Sequence, residues 1–75
     1  MTADVIIEVR AFWDDEAGVW VAGSEQVPGL ATEAETFEQL ASKLQRLVPE
    51  LLELNAPELQ GAPTVIRAER TLNAA

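Results

Sequence analysis

Seventy-five residues, with thirteen acids against five bases, a net charge of −8 and nearly half of the side chains apolar, describe one small acidic domain. That apolar share argues against disorder, yet no apolar run approaches the roughly 20 residues of a membrane span. The charge disfavours phosphate binding, which rests on Lys and Arg releasing counterions; it suits a basic protein partner, or serves solubility alone.

A chain of this size builds a thin core that a partner subunit would reinforce. It has no cysteine, hence no disulfide staple and no thiolate metal site. Met1-Thr2-Ala3-Asp4 offers neither a basic region nor a cleavable apolar segment, so no secretion signal is expected, and a small disulfide-free chain fits the cytoplasm.

Residues 5–13 alternate as a strand, with Val5, Ile7, Val9, Ala11 and Trp13 on one face and Ile6, Glu8, Arg10 and Phe12 on the other. Residues 14–18, Asp-Asp-Glu-Ala-Gly, can reverse the chain into a second strand over residues 19–24, rich in β-branched and aromatic side chains. With that loop, Trp13 is expected opposite Val19, Phe12 opposite Trp20, Ala11 opposite Val21, and Gly23 opposite Val9. This register gathers Val5, Ile7, Val9, Ala11, Trp13, Val19 and Val21 on a single apolar face, an agreement that a one-residue slip destroys. Trp13 then belongs to the core. Trp20 joins Phe12, Ile6 and Arg10 on a face that a single helix leaves bare, the kind of aromatic and arginine patch enriched at protein interfaces.

Residues 24–29 form a loop, with Pro28-Gly29 marking a turn. Residues 30–33 are short and could be a third strand. Thr36-Phe37-Glu38-Gln39 has the pattern of a capping box, and the helix it opens is expected over residues 37–54. Phe37, Leu40, Ala41, Leu44, Leu47, Val48 and Leu51 make its apolar stripe. Phe37, Leu40, Leu44, Leu47 and Leu51 are expected to be its buried side, against the face of Val5, Ile7, Val9 and Val21. Pro49 removes one helical hydrogen bond at a cost of about 3 kcal/mol, so a kink or a restart is expected there. A connector over residues 55–62 leads to a last strand over residues 63–72, with Val65 and Ile66 as its core candidates, and a frayed tail over residues 71–75. The whole reads as α+β, β-β-β-α-β, a small antiparallel sheet with one helix packed on one face.

Chemistry is sparse. Without histidine, cysteine or tyrosine the commonest general acids and bases are missing, Ser24 and Ser42 have nothing to activate them, and Lys43 falls on the solvated side of the helix. Nothing has the pattern of a phosphate loop. Neither an enzyme nor a bound cofactor is expected. Asp14, Asp15 and Glu16 could hold Mg²⁺ or Ca²⁺ loosely, but a hairpin tip points them apart, and a solvated acidic turn is the simpler reading.

The ordered set of Asp14 to Gly18, Val27-Pro28-Gly29-Leu30, Thr32-Glu33 and Thr36-Phe37-Glu38 resembles the antitoxin fold of HicB-like proteins, over roughly residues 5–54. Trp13 and Trp20 bounding the acidic turn, with Leu51-Leu52 after Val48-Pro49-Glu50, look like a narrower HicB-related family of uncharacterised bacterial proteins. The resemblance implies one HicB-like domain over residues 1–75. It also implies a partial ribonuclease H-like fold, although the strand that would carry that fold's metal ligands is apolar here. HicB-like antitoxins neutralise a small basic ribonuclease toxin and commonly add a C-terminal operator-binding segment. After Asn55 this chain has only twenty residues, few of them basic and strand-like in pattern, so a separate DNA-binding domain and direct nucleic-acid contact are not expected. The function implied is a protein-binding antitoxin module, usually oligomeric and most simply a homodimer. Ile6, Arg10, Phe12 and Trp20 would form its protein interface, and Asp14, Asp15, Glu16, Glu25 and Glu33 would be the charges that meet a basic toxin. The alternative is a solitary regulatory or ligand-binding domain of the same fold with no toxin.

Overall fold

The computed structural model describes residues 5–72. The chain runs β1 (Ile7–Asp14), β2 (Val19–Gly23), β3 (Ala31–Ala34), α1 (Phe37–Asn55), a single 3₁₀ turn (Pro57–Leu59) and β4 (Thr64–Glu69). This is the expected β-β-β-α-β architecture, one helix on a four-stranded sheet ordered β3-β2-β1-β4. The sheet is mixed rather than antiparallel throughout, because the crossover through α1 returns β4 to the far edge, parallel to β1. Of the expected tail, residues 71 and 72 are irregular, and 73–75 lie outside the described residues.

The first hairpin differs from expectation by one residue. Asp14 pairs with Val19, Trp13 with Trp20, Phe12 with Val21 and Ala11 with Ala22. The cause is local. The Asp14 carboxylate accepts the backbone N–H groups of Glu16 (3.0 Å) and Ala17 (3.2 Å), and the Asp14 carbonyl accepts the N–H of Gly18 at 2.8 Å. Asp14 therefore ends the strand and leaves a four-residue turn, closed by Gly18 at φ 69°, where a side chain would be strained. The slip exchanges the two faces of β2. Trp20 and Ala22 face the helix with Ile7, Val9, Ala11 and Trp13, whereas Val19 and Val21 share the outer face with Phe12.

The core is Ile7, Val9, Ala11, Ala22, Val27, Leu30 and Ala34 against Leu40, Leu44, Val48, Leu52 and Ala56. Leu40 and Leu44 are buried as expected. The fully covered row of α1 continues through Val48 and Leu52, while Leu47 and Leu51 are half-buried and Phe37 lies partly open at the helix start. Burial of four such side chains, at about 1.5–3 kcal/mol each, outweighs the roughly 3 kcal/mol that an internal proline costs. The helix accordingly continues through Pro49 to Asn55 without a restart. Its start is the expected capping box: the Thr36 hydroxyl accepts the Gln39 N–H at 3.1 Å, and the Gln39 side chain accepts the Thr36 N–H at 3.3 Å.

Val27-Pro28-Gly29-Leu30 is a turn with a packing role. The Leu30 N–H donates to the Val27 carbonyl at 3.1 Å with Gly29 at φ 85°, as in a type II turn. Val27 and Leu30 thereby enter the core, and Asn55 at the far end of α1 donates to the Pro28 carbonyl at 3.1 Å. Just before it, Ser24 and Gln26 act as a substitute strand. The Ser24 hydroxyl donates to the Glu8 carbonyl (2.6 Å), and the Gln26 amide accepts the Glu8 N–H (2.7 Å) and donates to the Ile6 carbonyl (3.0 Å). They occupy backbone groups of β1 and its approach that β2 is too short to reach.

Candidate protein interface

With α1 packed on one side of the sheet, none of the described residues covers the other side. Alternation places Glu8, Arg10, Phe12 and Asp14 of β1, Val19 and Val21 of β2, Glu33 of β3, and Val65, Arg67 and Glu69 of β4 on that outer face. Ile6, just before β1, shares their parity. Phe12 (46% exposed) and Val21 (37%) are direct cross-strand neighbours, and Ile6 (56%) and Val65 (39%) form a second apolar island. Ion pairs separate the islands: Arg67 with Glu8, and Arg10 with Glu69 at 3.9 Å. The Arg10 guanidinium also lies 5.7 Å from the centre of the Phe12 ring. Apolar patches bordered by charge are the ordinary anatomy of an interface.

Three of the four residues proposed for this surface, Ile6, Arg10 and Phe12, are brought together here, but Trp20 is not. Its ring meets Trp13 and Phe37 edge-on, each at 5.6 Å between centroids, so it belongs to the helix side. Val65, expected in the core, takes its place outside, because Ile66 is the β4 residue that faces α1. Val21 was likewise misplaced by the register. A clear signal was available only for Val65, whose parity within its strand is opposite to that of Ile66.

The expected partner charges are distributed unevenly. The Asp14 carboxylate is consumed by its own turn, and Asp15 accepts the Trp13 indole N–H at 2.5 Å. Glu16 and Glu25 are exposed, and Glu33 lies on the outer face of edge strand β3. None of these five makes an ion pair among the described residues. Nor do three His, Cys, Asp or Glu side chains gather as metal ligands among the described residues.

Two concavities adjoin the sheet. A groove of about 500 Å³ separates α1 from β4, lined chiefly by Ala41, Leu44, Val48, Leu52, Ala62 and Ile66. It exists because α1 lies over β3 and β2 and leaves most of the inner side of β4 uncovered. A more polar cleft lies at the other end of β4, where the Arg70 guanidinium stacks 4.4 Å from the centre of the Trp13 ring. Among the described residues no helix is long and apolar enough to cross a membrane.

No curated protein matches this chain. A solved structure, that of the hypothetical protein TTHA1013 from the extremely thermophilic bacterium Thermus thermophilus, is 52% identical, with a TM-score of 0.75 over 95% of this chain and 99% of that one. Residues 6–74 match a family described as "Domain of unknown function (DUF1902)", a span that takes in every strand, the helix and both faces of the sheet, and the chain belongs to that family.

Proposed function

We propose that this chain is a protein-binding module of the HicB-like antitoxin type, which neutralises a small basic ribonuclease toxin. The observation that carries the reading is the uncovered outer face, where Ile6, Phe12, Val21 and Val65 stand exposed between charged borders on a chain of net charge −8. The apolar islands would supply the contacts that hold the complex. Glu16, Glu25 and Glu33, whose carboxylates bond to none of the described residues, would steer a basic partner in; Asp15 adds charge beside them. Exposed charges of this kind set the association rate and its salt dependence more than the lifetime of the complex. The 500 Å³ groove favours a second reading, a small regulatory domain that takes an apolar ligand.

The test is kinetic binding to a short basic protein encoded beside this gene, at low and moderate salt, together with rescue of growth when the two are co-expressed. Phe12→Ala should speed dissociation, and reversal of Glu16 and Glu25 should slow association. Neither binding nor rescue would overturn the antitoxin reading, and a small molecule co-purifying in the groove would put the second one ahead.

A further inference from the structure

The two edges of the sheet are built differently. β3 is four residues long, and its Thr32 and Ala34 pair with Ala22 and Trp20, so only Ala31 and Glu33 turn backbone groups outward. Lys43 already donates to the Glu33 carbonyl at 2.6 Å. Shortness and a lysine are two common devices for blunting an edge. β4 has six residues and, among the described residues, no such cover. The Ile7 N–H donates to the Pro63 carbonyl at 2.9 Å, and the parallel register then turns Val65, Arg67 and Glu69 toward β1 as well. Thr64, Ile66 and Ala68 are left with N–H and C=O groups aimed away from the sheet, beside the apolar groove. Just beyond the strand, Leu72 is 82% exposed.

We propose that this edge is covered by a second copy of itself, β4 pairing antiparallel with the partner's β4 about a two-fold axis at Ala68. An extended backbone is the occupant that open N–H and C=O groups require, and the side chains choose which one and in what register. Two-fold registers set outward-turned residues opposite one another, and an axis anywhere from Thr64 to Ala68 keeps at least one such pair within β4. At Ala68 that pair is Ala68 with its own copy, and the rest of the ladder draws on Arg70 and Leu72 just beyond the strand. An axis at Arg67 would place two guanidinium groups in apposition, which is destabilising. Axes at Thr64, Val65 or Ile66 set no charge of β4 against another. An axis at Ala68 places Arg67 opposite the partner's Glu69, and Glu69 opposite the partner's Arg67. With the existing Arg67–Glu8 and Arg10–Glu69 pairs, the outer face then carries the row Glu8, Arg67, the partner's Glu69, the partner's Arg10, alternating in sign across the boundary. On the inner face the small Ala68 meets its own copy. Leu72 comes opposite the partner's Thr64, at the mouth of the groove that Thr64 and Ala62 line. This inference does not depend on the antitoxin reading.

The chain has no cysteine, so a single introduced thiol reports on the register. Ala68→Cys should give a disulfide-linked dimer under mild oxidation, because the axis brings its two copies within disulfide reach. Ile66→Cys should not, since its copies would stand four residues apart along the ladder, about 13 Å. Ala68→Pro removes an N–H that does not pair with β1, so the protomer should keep its circular dichroism. Its dimer should dissociate at least about ten-fold more readily, from two lost hydrogen bonds. In sedimentation the wild-type chain should approach about 16 kDa, twice its 8.1 kDa mass. Sedimentation at 8.1 kDa throughout the micromolar range would overturn the proposal, as would cross-linking of Ile66→Cys as efficient as that of Ala68→Cys.

Discussion

Trp20→Ala tests the hairpin register, because the slip of one residue decides which of two neighbours stabilises the domain. Trp20 meets Trp13 at an interplanar angle of 64° and Phe37 at 76°, both with centroids 5.6 Å apart. Each edge-to-face pair is worth about 0.5–1.5 kcal/mol beyond area burial. Truncating a fully buried tryptophan costs about 3–5 kcal/mol, and Trp20 is half-buried, so the sum should come to about 3 kcal/mol. A domain of this size has roughly 4–11 kcal/mol in total, so the loss is a large fraction of it. Val21→Ala, on the outer face with Val21 already 37% exposed, should stay within about 1 kcal/mol. Urea unfolding followed by far-UV circular dichroism reads both, and the slope should be unchanged if only stability moves. A double-mutant cycle with Phe37→Ala should return a coupling of about 0.5–1.5 kcal/mol. A larger cost at Val21 than at Trp20, or no coupling to Phe37, would refute the register and the packing drawn from it.

Thr36→Ala removes the hydroxyl of the capping box and should cost about 1 kcal/mol, a fall in Tm of about 4–8 °C for so small a domain; an unchanged melting curve would count against the cap. Gly29→Ala places a side chain at φ 85°, so thermal melting should report a loss of about 1–2 kcal/mol. Phe12→Ala should leave urea stability within about 1 kcal/mol while shortening the lifetime of a partner complex measured by kinetic binding. Charge reversal at Glu16 and Glu25 should lower the association rate at low salt and matter less as salt rises.

How much of this was legible in the sequence depends on the kind of signal. The helix was, because a 3.6-residue stripe and a capping box are independent markers of one element. Only its covered row was misjudged, since Leu47, Val48, Leu51 and Leu52 are all apolar and periodicity alone does not say which pair faces the sheet. The strands were legible as strands, but β2 reads Val-Trp-Val-Ala-Gly, apolar at nearly every position. Its two faces are indistinguishable by hydrophobicity, so the register rested on the length of the turn. That length is set by the Asp14 carboxylate accepting two backbone N–H groups, a competition between strand and turn that alternation does not record. Trp20 followed the register to the wrong face. β4 was misjudged at Val65, which by parity cannot share a face with Ile66; that α1 does not extend over β4, so that Ile66 is only half-buried, is tertiary. The groove and the open edge follow from the same geometry and have no local sequence signature.

The outer face around Phe12 cannot be buried in a homodimer and still meet a second protein. With self-association at the β4 edge, Phe12, Val21, Ile6 and Val65 stay open on both protomers, on one continuous outer face. Such a dimer presents its islands twice, related by the two-fold axis. A partner that engages one protomer should bind Ala68→Pro as tightly as the wild type, because its contacts do not cross the axis. A partner that spans both should lose the gain of a tethered second contact, which multiplies affinity without any new contact chemistry. Titration of the two forms with the same partner separates these cases by stoichiometry as well as affinity. Equal affinity with one partner per protomer would assign the outer face of each protomer as a complete site. A large loss in the proline variant, with its fold intact, would place the site across the dimer.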